Sequence, residues 1–133
     1  MNRPSDRRPN VVVFFTDQQR WDSTGAHGNP LDLTPHFDRM AKRGTHAVNA
    51  YTCQPVCLPA RAALQTGRYP SLIGCHTNGG CLEPGRKTLG HYFREAGYRT
   101  GYIGKWHLGR TRDGIVPPGS RAGYETWLGV NAL

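Results

Sequence analysis

The feature that most constrains the fold is an uninterrupted apolar run at residues 11–15, VVVFF, which Asp17 closes two residues later. Such a run, rich in β-branched residues, is typical of a strand buried on both faces of a parallel sheet. The stretch NVVVFFTD therefore predicts a buried parallel strand with Asp17 at its carboxyl edge. The run is too short for the apolar part of a signal peptide, and no stretch approaches a membrane span. We expect a cytoplasmic protein without a membrane partner.

Helix-like and strand-like patterns alternate along the rest of the chain. The stretch LTPHFDRMAKRG predicts a helix capped by Thr34 and stopped by Gly44, with Phe37, Met40 and Ala41 on its inner side. The remaining predicted elements are a strand at 45–52, a helix from near Pro59 to Gly67, a helix between Thr88 and Gly97 with Leu89, Tyr92, Phe93 and Ala96 facing inward, and a strand at 98–104. This alternation predicts the α/β class, with a mostly parallel sheet flanked by helices.

Chemically distinct groups follow the predicted strand ends. Asp17, the loop around Cys57 and the stretch Lys105-Trp106-His107 each come directly after a strand in this interpretation. Ligands of open α/β sheets gather beyond the carboxyl ends of the strands. We therefore expect these groups to converge on one rim.

The charge balance raises the question of a polyanionic partner. The formal net charge is +8, yet the basic residues are scattered and do not alternate with aromatic residues as a base-stacking surface requires. We expect no nucleic-acid partner. The four cysteines should be reduced rather than bridged, because a cytoplasmic location is expected. The spacings Cys53-x3-Cys57 and Cys75-x5-Cys81 do not match a structural zinc site.

Cys57 and Arg61 lie one helical turn apart at the start of a predicted helix, where backbone N–H groups favour negative charge. An ordinary packed cysteine with a surface arginine remains the alternative. A cysteine-phosphatase loop is excluded because position 63 is Ala and position 59 is Pro. A phosphate-binding P-loop at Lys105 is excluded because Arg99 and Trp106 replace the residues that it requires. Lys105 and His107 should lie on one side of an extended segment, where they could contact one anionic group.

These motifs together resemble the sulfatase family. C-x-P-x-R at Cys57, Pro59 and Arg61, followed by AALQTG, is similar to the first family signature, and GYRTGYIGKWHLG is similar to the second. FFTDQQRWD resembles the metal-binding start, and CHTNGGCL resembles the segment after the first signature. The matches are in order and span nearly the whole chain. They imply a partial alkaline phosphatase-like fold, with a polar tail at 1–10 and the N-terminal part of a sulfatase catalytic domain at 11–133.

The resemblance implies that Cys57 is oxidised to Cα-formylglycine by a maturation enzyme that recognises Cys57, Pro59 and Arg61. The aldehyde hydrate would attack the sulfur of a sulfate ester and later release sulfate by elimination. Arg61 would stabilise the hydrate. A calcium ion would be held by Asp17, by Gln18, where many members have a second Asp, and by residue 57.

The remaining site residues also follow from the resemblance. Lys105 would hold a sulfate oxygen and stabilise the leaving group, and His107 would assist the elimination. Asn78 matches a substrate-contacting residue of some relatives, although a plain turn residue in TNGG is an equal alternative.

The family's further ligands lie beyond residue 133. We therefore expect an incomplete portion of a sulfatase that is inactive by itself. A phosphonate or phosphate ester hydrolase of the same superfamily is the alternative, and a basic nucleic-acid-binding module is a remote one.

Overall fold

A computed structural model describes residues 8–111 and 113–131. The chain forms two compact units, Met1–His46 and Ala47–Leu133, which are described separately below. The elements are helices α1 (Pro35–Arg43), α2 (Cys57–Thr66) and α3 (Leu89–Glu95), strands β1 (Gly101–Lys105) and β2 (Thr126–Val130), and short 3-10 turns at Trp21–Ser23, Gly25–His27, Pro70–Ile73 and Pro118–Ser120. Within the described ranges, no helix has both the length and the apolar character that crossing a membrane requires.

The first unit is built around α1 and the two turns before it. Pro35 occupies the first turn of α1 and Gly44 ends it, as the sequence predicts. The carboxylate of Asp38 accepts hydrogen bonds from the Ala26 N–H at 2.8 Å and from the Thr34 hydroxyl at 3.1 Å. These bonds fasten the turn Gly25–His27 to the helix. The predicted inner side of α1 is wrong, because none of its residues is buried and both Phe37 and Met40 are exposed.

The predicted strand at residues 10–17 is also wrong. The described residues 8–20 contain no strand, and Val12 and Phe14 are 87% and 88% exposed. The physical reason is that a strand needs a neighbour to bond its N–H and C=O groups, and the described part of the first unit has no other strand. The predicted strand at 45–52 is absent as well: residues 48–49 form a turn, and Tyr51 is exposed.

The second unit contains a two-stranded parallel sheet. β1 confirms the predicted strand near 98–104, and it pairs with β2 in a register that places Gly101 opposite Thr126 and Lys105 opposite Val130. The sequence interpretation missed β2, so the sheet has two described strands rather than three. The class nevertheless is α/β with a parallel sheet and helices, as predicted.

An apolar core with an aromatic cluster holds the second unit together. The buried apolar residues are Leu58, Ala62, Ile73, Cys75, Trp106, Leu108 and Val116. Against them, the Tyr102 and Trp127 rings stack at 4.9 Å, and the Trp106 ring meets Tyr102 edge-on at 5.1 Å. Each such aromatic pair adds roughly 0.5–1.5 kcal/mol beyond area burial. This core lies between α2 and the sheet residues that carry the second sequence motif.

Helices α2 and α3 begin or end at the residues that the local sequence predicts. α2 begins two residues before the predicted Pro59 and ends at Gly67, which adopts φ 65 and donates to the Ala63 carbonyl. α3 starts with a capping box between Thr88 and His91. The predicted inner side of α3 is only partly right, because Leu89 and Phe93 are half-buried while Tyr92 and Ala96 are exposed.

Candidate active site

Cys57 is the first residue of α2 and is half-buried. The preceding Val56 is extended, so the helix starts abruptly at the cysteine. The next N–H group, that of Leu58, donates to the Asn78 side-chain oxygen at 3.0 Å. Asn78 therefore caps the helix beside Cys57. No acidic residue lies in the first turn, so the positive end of the helix dipole is not offset there.

Arg61 connects α2 to the end of β1. Its side chain is in the interior, at 7% residue exposure, and one terminal nitrogen donates to the Lys105 carbonyl at 2.5 Å. The Tyr102 hydroxyl donates to the same carbonyl, also at 2.5 Å. The structure thus brings the helix of Cys57 and the backbone of Lys105 together through one buried guanidinium. The predicted surface alternative for Arg61 is wrong.

The backbone that follows Lys105 is held at several points. The Trp106 N–H donates to Val130 at 2.7 Å, and Asn131 exchanges two hydrogen bonds of 2.8 Å with the backbone of Gly109. Between these points, His107 adopts φ 55 in the left-handed region. The segment is therefore not regularly extended through His107, which differs from the expectation for Lys105 and His107. A non-glycine residue held this way costs about 1–3 kcal/mol, which the flanking bonds and the buried Trp106 and Leu108 offset.

Burial raises the pKa of the two tyrosines near the Arg61–Lys105 hydrogen bond. Burial raises the pKa of Tyr102, although the Arg61 charge and hydrogen bond oppose the rise. Burial also raises the pKa of Tyr124, and the hydrogen bond from its hydroxyl to Gln65 opposes that rise. Both phenols stay neutral near pH 7 and act as hydrogen-bond donors rather than bases.

The cysteines also differ in burial. All four cysteines are unbridged. Burial raises the pKa of Cys75, whose Sγ lies 3.2 Å from the Cys81 carbonyl oxygen. A buried neutral thiol is a poor nucleophile. Cys57, at the helix start, is the better placed of the two for chemistry.

Asp17 and Gln18 lie in the first unit and are exposed. Gln18 has φ 50, an uncommon conformation for a non-glycine residue. A carboxylate and an amide oxygen are donor types that Ca²⁺ accepts, so the two residues fit the expected ion in kind. They do not complete a site, because residues 8–111 and 113–131 contain no group of three or more His, Cys, Asp or Glu suited to a metal.

Several supporting residues were missed by the sequence interpretation. Tyr102 and Asn131 hold the backbone around the second motif, and Gln65 accepts a hydrogen bond from the Tyr124 hydroxyl. Gln65 and Asn131 are buried. The stretch ETWLGV before Asn131 offered the one usable signal, since its β-branched and aromatic residues are typical of a strand. The bonds themselves join residues distant in sequence and leave no local pattern.

Comparison with known proteins gives a consistent picture. The model of the sulfatase family matches residues 9–133. The chain is 40% identical over 121 residues to an ulvan-active sulfatase of Formosa agariphila, covering 90% of this chain and 24% of that protein. It is 47% identical over 105 residues to the uncharacterised sulfatase YidJ of Escherichia coli, covering 77% of this chain and 20% of that protein. The chain thus spans about a quarter of the length of these relatives.

A similar solved structure is that of an enzyme in complex with its substrate, D-glucosamine-2-N,6-O-disulfate. It superposes with a TM-score of 0.79 at 30% identity, covering 91% of this chain and 23% of that one. The likeness extends to the fold as well as the sequence, which confirms the predicted fold family.

Proposed function

The chain belongs to the sulfatase family, and we propose that the protein hydrolyses sulfate esters with residue 57 as its nucleophile. The relatives named above support the reaction class. The single observation that carries the assignment of residues is the hydrogen bond from Arg61 to the Lys105 carbonyl. At 2.5 Å, this bond links the helix of Cys57 to the end of β1. Two separate sequence motifs thereby become one structural unit.

Residue 57 is proposed to act after conversion to formylglycine, which would supply a hydroxyl nucleophile that ordinary cysteine lacks. Its position at the positive end of α2 favours an anionic group there. Asn78 keeps the first turn of the helix in place through the 3.0 Å bond to Leu58. We accordingly assign Asn78 a positioning role beside its proposed contact with substrate.

Lys105 and His107 are proposed to handle the charge of the reaction. The ammonium group of Lys105 would bind a sulfate oxygen and stabilise the leaving group, and the imidazole of His107 would bond to the second hydroxyl of the hydrate and assist the elimination of sulfate. Their backbone positions are fixed by Arg61, Tyr102 and Asn131. Such fixed positions reduce the reorganisation needed during reaction.

A divalent metal, with Ca²⁺ as the first candidate, is proposed to bind Asp17 and Gln18 together with further oxygen ligands. When bound, it would supply Lewis-acid stabilisation of sulfate oxygens. The sulfate ester is the substrate class, and carbohydrate sulfates are the first to test because named relatives act on ulvan or bind a sulfated glucosamine.

The chain offers a matched pair of cysteines for the test. The complete natural protein is made with Cys57→Ala or Cys53→Ala and assayed with an aryl sulfate and the matching aryl phosphonate. We expect Cys57→Ala to lower sulfate turnover by at least about 1000-fold, because the nucleophile is lost. Cys53 is exposed, and its variant should stay within about twofold.

Equal losses in the two variants would contradict the assignment of residue 57. Faster turnover of the phosphonate would instead favour the phosphonate hydrolase alternative. Peptide mass spectrometry of the segment containing Cys57 provides the second readout, since conversion to the aldehyde removes sulfur. An unmodified thiol in active protein would contradict the formylglycine proposal.

A further inference from the structure

A cavity lies in the unit Ala47–Leu133. Its volume is about 550 Å³, and it is lined by the loop 81–86, by His91 and Arg94 of α3, and by residues from the segments 106–110 and 118–123. This volume is within the usual range for small-molecule sites. The cavity is therefore large enough for a sugar residue with a charged substituent.

The walls of this cavity are fixed by buried contacts. The Leu82 N–H donates to the Leu108 carbonyl at 2.9 Å, and the Thr88 hydroxyl donates to the Ala122 carbonyl at 2.6 Å. A Cβ added at Gly123 would approach the His91 backbone nitrogen at 2.5 Å, so the turn and α3 touch closely. The cavity is accordingly part of the fold rather than a gap between mobile loops.

The charged lining is mainly basic. Arg86, Arg94 and Arg110 line the cavity, and Glu83 is the one acidic residue among the described lining residues. Arg94 also lies 3.9 Å from Glu125, which offsets part of its charge. The remaining positive charge favours an anionic ligand.

His91 adds a polar ring to this lining. Its Nδ1 lies 3.3 Å from the Thr88 backbone nitrogen and 3.0 Å from the Thr88 hydroxyl oxygen. Because Nδ1 is engaged by Thr88, Nε2 is the ring nitrogen with which His91 could contact a ligand.

Arg86 provides the observation that points to a ligand. Its Nε is buried and has no hydrogen-bond partner in the part of the chain that the structure describes. Buried guanidinium N–H groups normally have an acceptor, and leaving one unpaired is unfavourable. An oxyanion in the cavity would supply that acceptor, and the planar fork of arginine suits sulfate and carboxylate oxygens.

This cavity is distinct from the candidate active site. Its described lining includes Trp106 and Leu108 but not Cys57, Arg61, Lys105 or His107. Trp106 and Leu108 flank His107 in sequence, so one backbone segment serves both places. A ligand in the cavity would be bound beside the catalytic segment without occupying the catalytic position.

We propose that the cavity binds the sulfate or carboxylate group of an anionic saccharide, with Arg86 and Arg110 as its main contacts. The saccharide part rests on the proposed sulfatase function. The oxyanion part rests on the basic lining and on the buried Arg86 Nε alone.

The test uses the complete natural protein with Cys57→Ala, so that no probe is turned over. Inorganic sulfate and D-glucosamine 6-sulfate are titrated while backbone amide signals are followed by NMR. We expect saturable shifts at residues 82–86 and 119–123, separate from any around position 57. We also expect the sugar sulfate to bind at least about tenfold tighter than inorganic sulfate, because the cavity contacts the ring as well.

Substitution then assigns the contacts. Arg86→Gln, and the more exposed Arg110→Gln in case the first misfolds, should weaken binding at these signals by about 10- to 100-fold. Arg99→Gln removes the same charge from an exposed residue outside the cavity lining and should change it by less than about twofold.

An absence of shifts at residues 82–86 and 119–123, or an equal loss in the Arg99 variant, would overturn the oxyanion site. Equal affinity for the two probes would overturn the saccharide assignment. Because binding is read at these amides, loss of aryl sulfatase activity alone would leave the proposal intact, and failure of binding would leave the proposed catalysis intact.

Discussion

The two units of the chain differ in how firmly they hold their candidate site residues. The second unit surrounds Arg61 and Trp106 with a continuous core, and its catalytic candidates are fixed by hydrogen bonds. The described part of the first unit buries Thr24 alone, and it presents Asp17 and Gln18 on exposed backbone. In the second unit, packing and hydrogen bonds define where the candidate residues lie. In the first unit, the assignment of Asp17 and Gln18 rests on the local sequence alone.

The largest expected effect is at the centre of the core. Trp106→Ala should lower the free energy of unfolding by about 3–5 kcal/mol, since Trp106 is 2% exposed and its removal leaves a cavity. Trp21→Ala in the first unit should cost about 1 kcal/mol or less, because that ring is 70% exposed. Urea unfolding followed by circular dichroism measures both. Similar losses would break the contrast between the units.

A second pair compares two glycines of left-handed conformation. Gly123→Ala should cost about 2–5 kcal/mol, because it adds both backbone strain and a clash with the His91 nitrogen. Gly28 has a similar φ of 91, but nothing lies within 4 Å of its added Cβ. Gly28→Ala should thus cost only the strain, about 1–2 kcal/mol. Thermal unfolding of both variants separates packing from strain, and equal costs would show that the second unit is not tighter here.

The third prediction concerns alkaline stability. Burial raises the pKa of Tyr124, so the folded protein keeps the phenolic proton at a pH where the unfolded chain has lost it. The resulting contribution is complete below about pH 10 and is lost as pH rises through the folded pKa. Tyr124→Phe should make the fall in unfolding free energy above about pH 10 less steep. Tyr51→Phe, at a residue that is 91% exposed, is the matched control and should not change the slope.

The smallest effect is expected for surface ion pairs, which should not distinguish the units. Arg20 and Asp22 are paired at 2.5 Å in the first unit, and Lys87 and Glu95 at 2.5 Å in the second, all with exposed side chains. The hydrogen bond from Arg20 lowers the pKa of Asp22, so any contribution is present at neutral pH and lost on acidification. Arg20→Gln and Lys87→Gln should both leave urea midpoints unchanged within error, because water and salt screen such pairs. A clear drop in the urea midpoint of either variant would contradict this expectation. It would show an electrostatic contribution to the stability of that unit.

Helix positions could be predicted from the sequence because their signals are local. Pro35, Gly67 and the Thr88 capping box act on neighbouring residues, and all three mark helix ends in the structure. The apolar run at 11–15 failed as a strand because strand formation depends on a partner ladder, which no local pattern supplies. β2 was missed for the converse reason: its register with β1 joins residues 25 positions apart, such as Gly101 and Thr126.

The candidate site divides along the same line. The spacing of Cys57 and Arg61 predicts one helical turn, and α2 contains both residues. The hydrogen bond from Arg61 to the Lys105 carbonyl joins residues 44 positions apart and could not be predicted from local patterns. The left-handed backbone at His107 could not be predicted either. Short-range geometry can be inferred from sequence, whereas a long-range bond depends on the packed chain.

The acceptor at position 105 is a main-chain oxygen, which every amino acid supplies. A mutation there would alter the charge offered to a substrate without removing the bonds from Arg61 and Tyr102. Substitutions at position 105 can therefore change the side-chain chemistry of the site while these two hydrogen bonds remain. A substitution at position 61 would instead remove the bond that links α2 to β1.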